Sequence, residues 1–300
     1  MSSNARRLTG EGLLLLLGLA LGWGFNWPVM KIVVAEVPPL SFRGLRLVVG
    51  GLGVMAIARS SGLSLALPRT MLMQVFVLSL LNIIGWNIFA TYGVALLPSG
   101  RAALLGYTMP LWCVPFSVWW LAESLSARRT VALVLGLAGV AALMGEQLFH
   151  LMQAPVGVLL MVTAAACWAA GTVLLKRWQV PLNTVVLTGW LMLMGGVPML
   201  VAAFFVDGLP TVMPSANALW GLAYNIGVGF MFGYWAWNKL VLLVPVSVSS
   251  LSSLITPLVG VAAGALMLGE QPGWPEFWAA VLILGAVGVI NSGSGGRPRA

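Results

Sequence analysis

Aromatic and amide side chains recur inside long apolar stretches of this sequence. Trp23 and Asn26 lie in the first stretch, and Asn82 and Trp86 lie in the third. Trp168 lies near the centre of the sixth. A tryptophan or asparagine in such a place must find a hydrogen-bond partner or face a cavity. Each residue alone is explained equally well by core packing, but together they favour an aromatic wall that binds a small solute by stacking and hydrogen bonds.

Prolines in the fourth and ninth apolar stretches extend the predicted wall. A proline at mid-helix removes a backbone donor and crowds a carbonyl, which membrane depth tolerates only beside protein or a water-filled cavity. A packing kink is the alternative for either proline alone, and close helix packing is the alternative for the serines before Pro257. The predicted substrate-binding residues are Trp23, Asn26, Asn82, Trp86, Tyr107, Met109, Pro110, Trp168, Asn225, Ser253 and Pro257.

The sequence contains few residues that could form a catalytic or a metal-binding site. The single histidine, His150, stands near Glu146 between two apolar stretches, so no buried acid–base pair or metal cluster is predicted. Cys113 and Cys167 fall in different apolar stretches, which favours buried free thiols over a disulfide. No glycine-rich phosphate loop follows a strand. We therefore expect no enzyme, no cofactor and no metal.

The elements that position these residues are predicted to be membrane-spanning helices. Of the 300 residues, 60% are hydrophobic and 7% charged, with a mean hydropathy of +1.00, which is typical of a polytopic membrane protein. A spanning helix needs roughly 20 apolar residues. Ten runs approach that length, near residues 11–33, 40–58, 71–95, 99–121, 129–145, 155–176, 183–206, 217–241, 246–268 and 276–293. The predicted class is an all-α membrane protein.

The chain repeats itself once. Pro98, Pro110 and Glu123 are 12 and 13 residues apart, and the same residue types recur at both spacings 147 positions later. Trp23 matches Trp168 at an offset of 145. Five spans per copy is an odd number, so the second copy must be inverted in the membrane, as in secondary transporters. The predicted parts are a cytoplasmic tail (1–10), the first repeat (11–145), an outer loop (146–154), the second repeat (155–293) and a second tail (294–300).

The distribution of positive charge predicts the orientation. Net charge is +8, and with a cytoplasmic N-terminus eleven of the fifteen basic residues lie on the cytoplasmic side. Lys31, Arg43, Arg46 and Arg101 remain in the outer half. This split follows the positive-inside rule, so both termini are predicted to be cytoplasmic. The expected partners are a small-molecule substrate and the lipid bilayer, with no nucleic acid and no obligate protein partner.

The acidic residues all lie near span ends or in loops. No carboxylate is expected at the bilayer centre to relay protons, which favours uniport or exchange over proton antiport. Glu123 and Glu270 end their helices at opposite faces. We interpret them as caps or gate partners to Arg128 and Arg129, with solvated end charges as the alternative.

The motifs carry a family resemblance over about residues 11–292. The five-plus-five repeat, the "AES" at 122–124 and the "GEQ" at 269–271 resemble the drug/metabolite transporter superfamily of the EamA type. The second half is the closer match, through "LITPLVGVAAGALMLGE" at 254–270, whereas Ala122 stands where the family usually has glycine. Within it, the chain is similar to bacterial aromatic amino acid exporters of the YddG type.

This resemblance implies export of small metabolites across the bacterial inner membrane. We expect a midplane cavity between spans 3, 4, 8 and 9, with 1 and 6 contributing. Aromatic or bulky apolar amino acids would stack on Trp86, Tyr107 and Trp168. A nucleotide-sugar or drug/nucleoside carrier of the same fold is the alternative, for which Lys31 and Arg43 are the only phosphate-binding candidates.

Overall fold

A computed structural model describes residues 10–97, 105–144, 154–208, 213–268 and 272–292, and the regular elements in these ranges are helices. Pro98, Arg101, Glu146, His150 and Glu270 therefore lie outside the described residues, as do residues 1–9 and 293–300. The first half contains α1 (Gly10–Val34), α2 (Pro39–Ser60), α3 (Leu72–Ser79), α4 (Trp86–Leu96), α5 (Met109–Leu121) and α6 (Ala127–Met144). The second half contains α7 (Pro155–Trp178), α8 (Thr184–Val206), α9 (Ala216–Tyr224), α10 (Gly233–Leu243), α11 (Val246–Ser252), α12 (Ile255–Leu268) and α13 (Trp274–Ser292).

The all-helical class predicted from composition is confirmed. Seven helical segments of the described chain are long and apolar enough to cross a membrane. These segments are Gly10–Val34, Pro39–Ser60, Arg69–Gly93, Pro155–Trp178, Thr184–Val206, Ala216–Leu243 and Val246–Met267. Two shorter apolar helices are Met109–Leu121 and Phe277–Asn291. Large apolar side chains such as Leu14, Phe205 and Trp220 are exposed on the outside of the bundle, as expected of surfaces that face lipid.

Two segments of π-helix interrupt the long helices. Segment π1 (Leu80–Gly85) joins α3 to α4, and segment π2 (Asn225–Phe232) joins α9 to α10. Their first residues are 145 positions apart, the offset that also relates Trp23 to Trp168. Single π turns inside α-helices occur often at functional sites. The repeat therefore extends to an irregular backbone feature that the sequence analysis did not predict.

The breaks predicted at Pro110 and Pro257 are present, shortly before each proline. Turns at residues 107–108 and 253–254 separate the helical pieces, and the prolines occupy the first turns of α5 and α12. A proline is tolerated there because the first N–H groups of a helix have no partner within it. The hydroxyls of Thr108 and Ser253 donate to carbonyls three residues back, at 2.6 and 2.7 Å.

The two halves interlock through matched helix pairs. Helix α2 packs against α8, and α6 packs against α13. Helix α1 lies along α12, and α7, which is the repeat counterpart of α1, lies along α5. Each pair joins one helix from each half. Side chains from both halves therefore meet along the centre of the bundle.

Glycine allows α2 and α8 to pack at backbone distance. A Cβ added at Gly44 would lie 2.7 Å from Leu200 Cα, closer than packed atoms approach. We predict that Gly44→Ala destabilises the fold by roughly 1–3 kcal/mol through overpacking, measured as a lower apparent Tm in detergent. Gly285→Ala is the control, because nothing lies within 4 Å of its added Cβ. Equal melting of both variants would contradict the close helix contact.

Polar contacts between the halves mark the two ends of the bundle. Face A is the end where α1 begins, and there Glu11 forms an ion pair with Lys239 of α10. Face B is the end where α1 finishes. At face B the Asp207 carboxylate accepts from the Ser41 N–H and hydroxyl, at 2.6 and 2.7 Å. The Glu36 carboxylate accepts from the Ser215 N–H and hydroxyl at the same two distances.

The Glu36 contact gives face B a dependence on pH. The N–H and then the hydroxyl of Ser215 hold the pKa of Glu36 below its ordinary value of 4.5. A depressed pKa contributes stability above the ordinary pKa, and this is lost as pH falls through the lowered value. We expect the Tm difference between wild type and Glu36→Gln to shrink on acidification from about pH 7 to about pH 3. A difference that stays constant would show that the carboxylate charge is irrelevant.

Candidate functional site

Five aromatic rings from both halves meet in the middle of the bundle. This ring cluster consists of Trp23 of α1, Trp86 of α4, Trp168 of α7, and Tyr234 and Trp237 of α10. Trp168 is central, with its ring centroid 6.0 Å from Trp23, 5.3 Å from Trp86, 5.4 Å from Tyr234 and 6.1 Å from Trp237. Most of these pairs are edge-to-face or tilted, arrangements that suit the ring quadrupole.

The π segments and neighbouring glycines position the rings. The Trp23 Nε1–H donates to the Gly229 carbonyl of π2 at 2.9 Å. A Cβ at Gly233 would lie 2.3 Å from that same Nε1, so only glycine admits the Trp23 side chain in this place. At π1, in the first half, Asn82 Oδ1 occupies the space that a Cβ at Gly171 of α7 would fill. The π segments and the glycines, which have no side chain, together leave space for the polar atoms Trp23 Nε1 and Asn82 Oδ1.

Unpartnered polar atoms surround the ring cluster. Asn26 Oδ1, Asn82 Oδ1, Thr172 Oγ1 and Trp237 Nε1 are buried and have no hydrogen-bond partner among the described residues. Leaving a buried donor or acceptor unpaired costs roughly 1–3 kcal/mol. Native structures contain few such atoms, and each calls for an explanation. A solute that bonds to these atoms would supply one.

Two arginines of α2 adjoin this region and were not among the predicted site residues. The Arg43 Nη1–H donates to Asn87 Oδ1 at 3.0 Å, and the Arg46 Nη1–H donates to Asn225 Oδ1 at 3.1 Å. The amide N–H groups of Asn87 and Asn225 in turn donate to carbonyls of their own helices, at 2.8 and 3.1 Å. These arginines, the arginine pair, thus bridge the two helices that contain π segments.

Aromatic faces cover the buried guanidinium of Arg46. Its Cζ lies 4.3 Å from the centroid of Phe42 and 4.0 Å from that of Phe230, and the residue is 3% exposed. Such cation–π contacts stabilise a partly desolvated cation. The positive-inside count had assigned Arg46 to the outer half as an ordinary charge. The spacing of Arg43 and Arg46 could have predicted that the two act together, because residues three positions apart in a helix share one face.

The predicted site residues divide into three groups. Trp23, Trp86 and Trp168 belong to the ring cluster, and Asn26 and Asn82 lie beside residues that adjoin it. The amide oxygen of Asn225 accepts a hydrogen bond from Arg46 of the arginine pair. The remaining five lie around the helix breaks, namely Tyr107, Met109, Pro110, Ser253 and Pro257. Sequence reasoning missed Tyr234 and Trp237, whose only signal was the run of aromatic residues at 230–237.

The break before α5 adjoins the ring cluster, although its side chains also pack elsewhere. A Cβ at Gly106 would lie 3.1 Å from the Trp86 ring. Tyr107 packs against an apolar cluster built from α6, α11 and α13 that includes Leu251 and Leu254. The Met109 and Cys113 sulfurs are 3.1 Å apart. The break before α5 therefore lies between the ring cluster and the apolar cluster that contains Leu251 and Leu254.

A contact between the two halves lies at face A of the bundle. The Glu123 carboxylate accepts from the Val246 N–H at 3.1 Å and from the Ser247 hydroxyl at 2.9 Å, at the start of α11. Arg129 lies 3.2 Å from the same carboxylate, which confirms the predicted pairing. Glu123 thus joins the end of α5 in the first half to α11 in the second.

The arrangement offers recognition chemistry. Both cysteines are free thiols, as predicted. Within the described ranges, no three His, Cys, Asp or Glu side chains gather to hold a metal ion. The groups that do converge are aromatic faces, amides and guanidiniums, whose chemistry suits the binding of amphipathic solutes.

Comparisons with known proteins identify the family of the chain. Residues 10–145 and 155–292 each match the EamA-like transporter family. The chain is 29% identical over 261 residues to the uncharacterized transporter YoaV of Bacillus subtilis (strain 168), spanning 85% of this chain and 88% of YoaV. It is 27% identical over 285 residues to the probable amino-acid metabolite efflux pump of Escherichia coli (strain K12), spanning 91% and 92%.

A solved crystal structure shares the fold. It superposes with a TM-score of 0.82 over 94% of this chain and 96% of that chain, at 21% sequence identity. Since the family matches cover both halves, the chain belongs to the EamA-like transporter family and is a multi-pass membrane protein.

Proposed function

We propose that the protein is a secondary transporter that exports aromatic and other apolar amino acids by alternating access. The observation that carries this proposal is the ring cluster, to which both halves contribute and which is bordered by buried polar atoms with no partner among the described residues. Aromatic faces bind a ring or an apolar side chain, and the unpartnered atoms bind a polar head group. The name of the Escherichia coli relative, an amino-acid metabolite efflux pump, supports this substrate class.

The proposed architecture is ten spans in two inverted five-helix repeats, residues 11–145 and 155–293. The matched helix pairs and the matched π segments support it, since they relate several elements of one half to elements of the other. The greater number of basic residues towards face A favours an orientation with face A and both termini in the cytoplasm. The similarity to bacterial transporters favours the bacterial inner membrane as the location. Face B with Glu36 and Asp207 then lies outside.

In the proposed cycle, the two halves exchange roles around the ring cluster. The Glu123 contact holds face A closed, and the Glu36 and Asp207 contacts hold face B closed. Carboxylates occur at the ends of the described spans and not beside the ring cluster. Uniport or exchange down a gradient is therefore the proposed driving mode.

A carrier of nucleotide sugars or of drugs and nucleosides is the second candidate. The arginine pair favours it, because two neighbouring guanidiniums can bind phosphate. The sequence had offered only Lys31 and Arg43 for that role. The two candidate functions differ in the head group of the transported substrate, and both use the same pathway through the protein.

Flux measurements on the pure protein in liposomes test the proposal. We expect uptake of labelled phenylalanine above that of empty liposomes, competition by unlabelled tryptophan, and no effect of an imposed pH gradient on the initial rate. Labelled threonine and a labelled nucleoside define the range of substrates. Competition by a UDP-sugar without competition by tryptophan would favour the second candidate, and the absence of flux for any solute would refute transport.

A further inference from the structure

The arginine pair lies in an apolar helix and has no acidic partner in the part of the chain that the structure describes. Arg46 is buried, its Nε has no partner among the described residues, and its Nη1 bonds to the neutral amide oxygen of Asn225. Arg43 bonds in the same way to the amide of Asn87. Burying an arginine in a membrane protein costs free energy, because its charge is removed from water. Such residues usually pair with an opposite charge or lie along a substrate pathway.

No carboxylate of the described residues neutralises the pair. Among the described residues, the ionisable groups close enough to Arg46 to interact electrostatically are Arg43 and Tyr234, and neither is negatively charged at neutral pH. Two acidic residues lie at face B near the start of α2, and both already accept hydrogen bonds from serines. Glu36 accepts from Ser215, and Asp207 accepts from Ser41. Two positive charges therefore stand next to each other with amide oxygens as their acceptors.

A chain of contacts leads from the arginine pair to the ring cluster. The Arg46 guanidinium lies over Phe230, whose ring stacks on Tyr234 with centroids 4.8 Å apart. Tyr234 contacts Trp168 at 5.4 Å. A small molecule whose anionic group lies at Arg46 can therefore place its apolar part against the rings.

We propose that Arg46, with Arg43 beside it, binds the carboxylate of the transported amino acid in place of the Asn225 amide oxygen. This inference rests on the proposed function and assigns its head-group site. A carboxylate matches the planar fork of a guanidinium and forms charge-assisted hydrogen bonds, which are stronger than those of a neutral amide.

The other unpartnered atoms favour an amino acid over a phosphate ester. Asn26 Oδ1 and Asn82 Oδ1 are buried acceptors to which no group of the described residues donates. The ammonium group of an amino acid supplies N–H donors for such acceptors, whereas an ionised phosphate supplies none. Donors at Arg46 and acceptors near Gly229 and Gly171 thus complement the two charges of a zwitterion.

Binding at the arginine pair would involve both halves of the protein. Arg43 bonds to α4 in the first half, and Arg46 bonds to π2 in the second. A carboxylate that replaces one or both amides changes how α2 is held between these helices. The substrate can in this way favour one arrangement of the halves through its differential contacts.

Substrate analogues provide the first test. In liposomes with the wild-type protein, unlabelled phenylalanine should compete with labelled phenylalanine, and phenylalaninamide and phenethylamine, which lack the carboxylate, should not. Competition by both analogues as strong as that by phenylalanine would overturn the inference. Stronger competition by phenyl phosphate than by phenylalanine would also overturn it, in favour of a phosphate site.

Three variants provide the second test. Arg46→Gln should raise the apparent KM for phenylalanine roughly tenfold or more, as expected for the loss of a charged hydrogen bond. Asn225→Asp places a carboxylate on Arg46 inside the protein, so it should also raise the KM while keeping the apparent Tm at or above that of wild type. Arg59→Gln is the matched control, because Arg59 is exposed in the last turn of the same helix. Its KM should be that of wild type.

The outcomes separate the inference from the function on which it rests. Asn225→Asp retains the buried arginine, so it gives an answer even if Arg46→Gln does not fold. A normal KM in Asn225→Asp overturns the carboxylate assignment and leaves amino-acid transport intact. Failure of the wild-type protein to move any amino acid refutes the proposed function itself.

Discussion

Replacement of Trp168 by alanine should reduce amino-acid flux to the level of empty liposomes and lower the apparent Tm in detergent. Trp168 contacts all four other members of the ring cluster and is 7% exposed. Truncation of a buried tryptophan costs roughly 3–5 kcal/mol, and the ring that both halves share is lost with it. Flux and thermal melting are measured on the same preparation.

Two further variants separate stability from recognition. Trp168→Phe keeps an aromatic face, so it should fold well and retain part of the flux with a higher apparent KM. Trp119→Ala is the control, because Trp119 is 77% exposed on α5 and should change neither quantity. Native flux in Trp168→Ala would remove the ring cluster from the transport route.

Replacement of Glu123 by alanine should open the bundle at face A. The variant loses two hydrogen bonds to the start of α11 and the ion pair with Arg129. Breaking a hydrogen-bonded carboxylate contact of this kind costs roughly 2 kcal/mol, which shifts an open–closed equilibrium by a factor on the order of thirty. Transport should slow, because one closed state of the cycle becomes less populated.

Cys113 offers a reporter for this opening. It is fully buried on α5, and its thiol faces Ser250 of α11. In a Cys167→Ala background, a membrane-impermeant maleimide should label Cys113 in inside-out vesicles at least about tenfold faster when Glu123 is alanine.

The control for this prediction is Glu11→Gln. Glu11 is also a glutamate paired with a basic residue at face A, but it is largely exposed. Exposed ion pairs contribute little, so its labelling rate should equal that of wild type. Unchanged labelling of Cys113 in Glu123→Ala would show that this contact does not hold face A closed.

The sequence was sufficient for the features that depend on residue type and spacing. Hydropathy predicted the helices, and the recurrence of proline and glutamate predicted the two repeats. Trp23 and Trp168 were predicted to share a wall because a tryptophan deep in an apolar helix needs a partner. In the structure their centroids are 6.0 Å apart.

Features that depend on tertiary packing were not accessible in the same way. No particular residue composition marks a π segment in a sequence, because the segment forms where contacts from other helices hold an extra residue in the helical turn. Trp23 makes such a contact with Gly229. The break before α5 was predicted at Pro110, but the turn lies at residues 107–108, because a proline fits the first turn of the next helix.

The arginine pair shows a limit of reading charge from position alone. The positive-inside rule counts an arginine near a span end without asking whether it faces lipid, water or protein. The burial of Arg46 depends on Phe230 and Asn225, which lie 179 or more positions further along the chain. Only the folded chain brings them together.

The most direct test of the account is a structure of the protein determined by cryo-electron microscopy with phenylalanine bound. We expect density for its ring among Trp23, Trp168 and Tyr234. Density in a site built from other residues, such as the interface of α6 with α13, would contradict the central claim that the ring cluster binds the substrate.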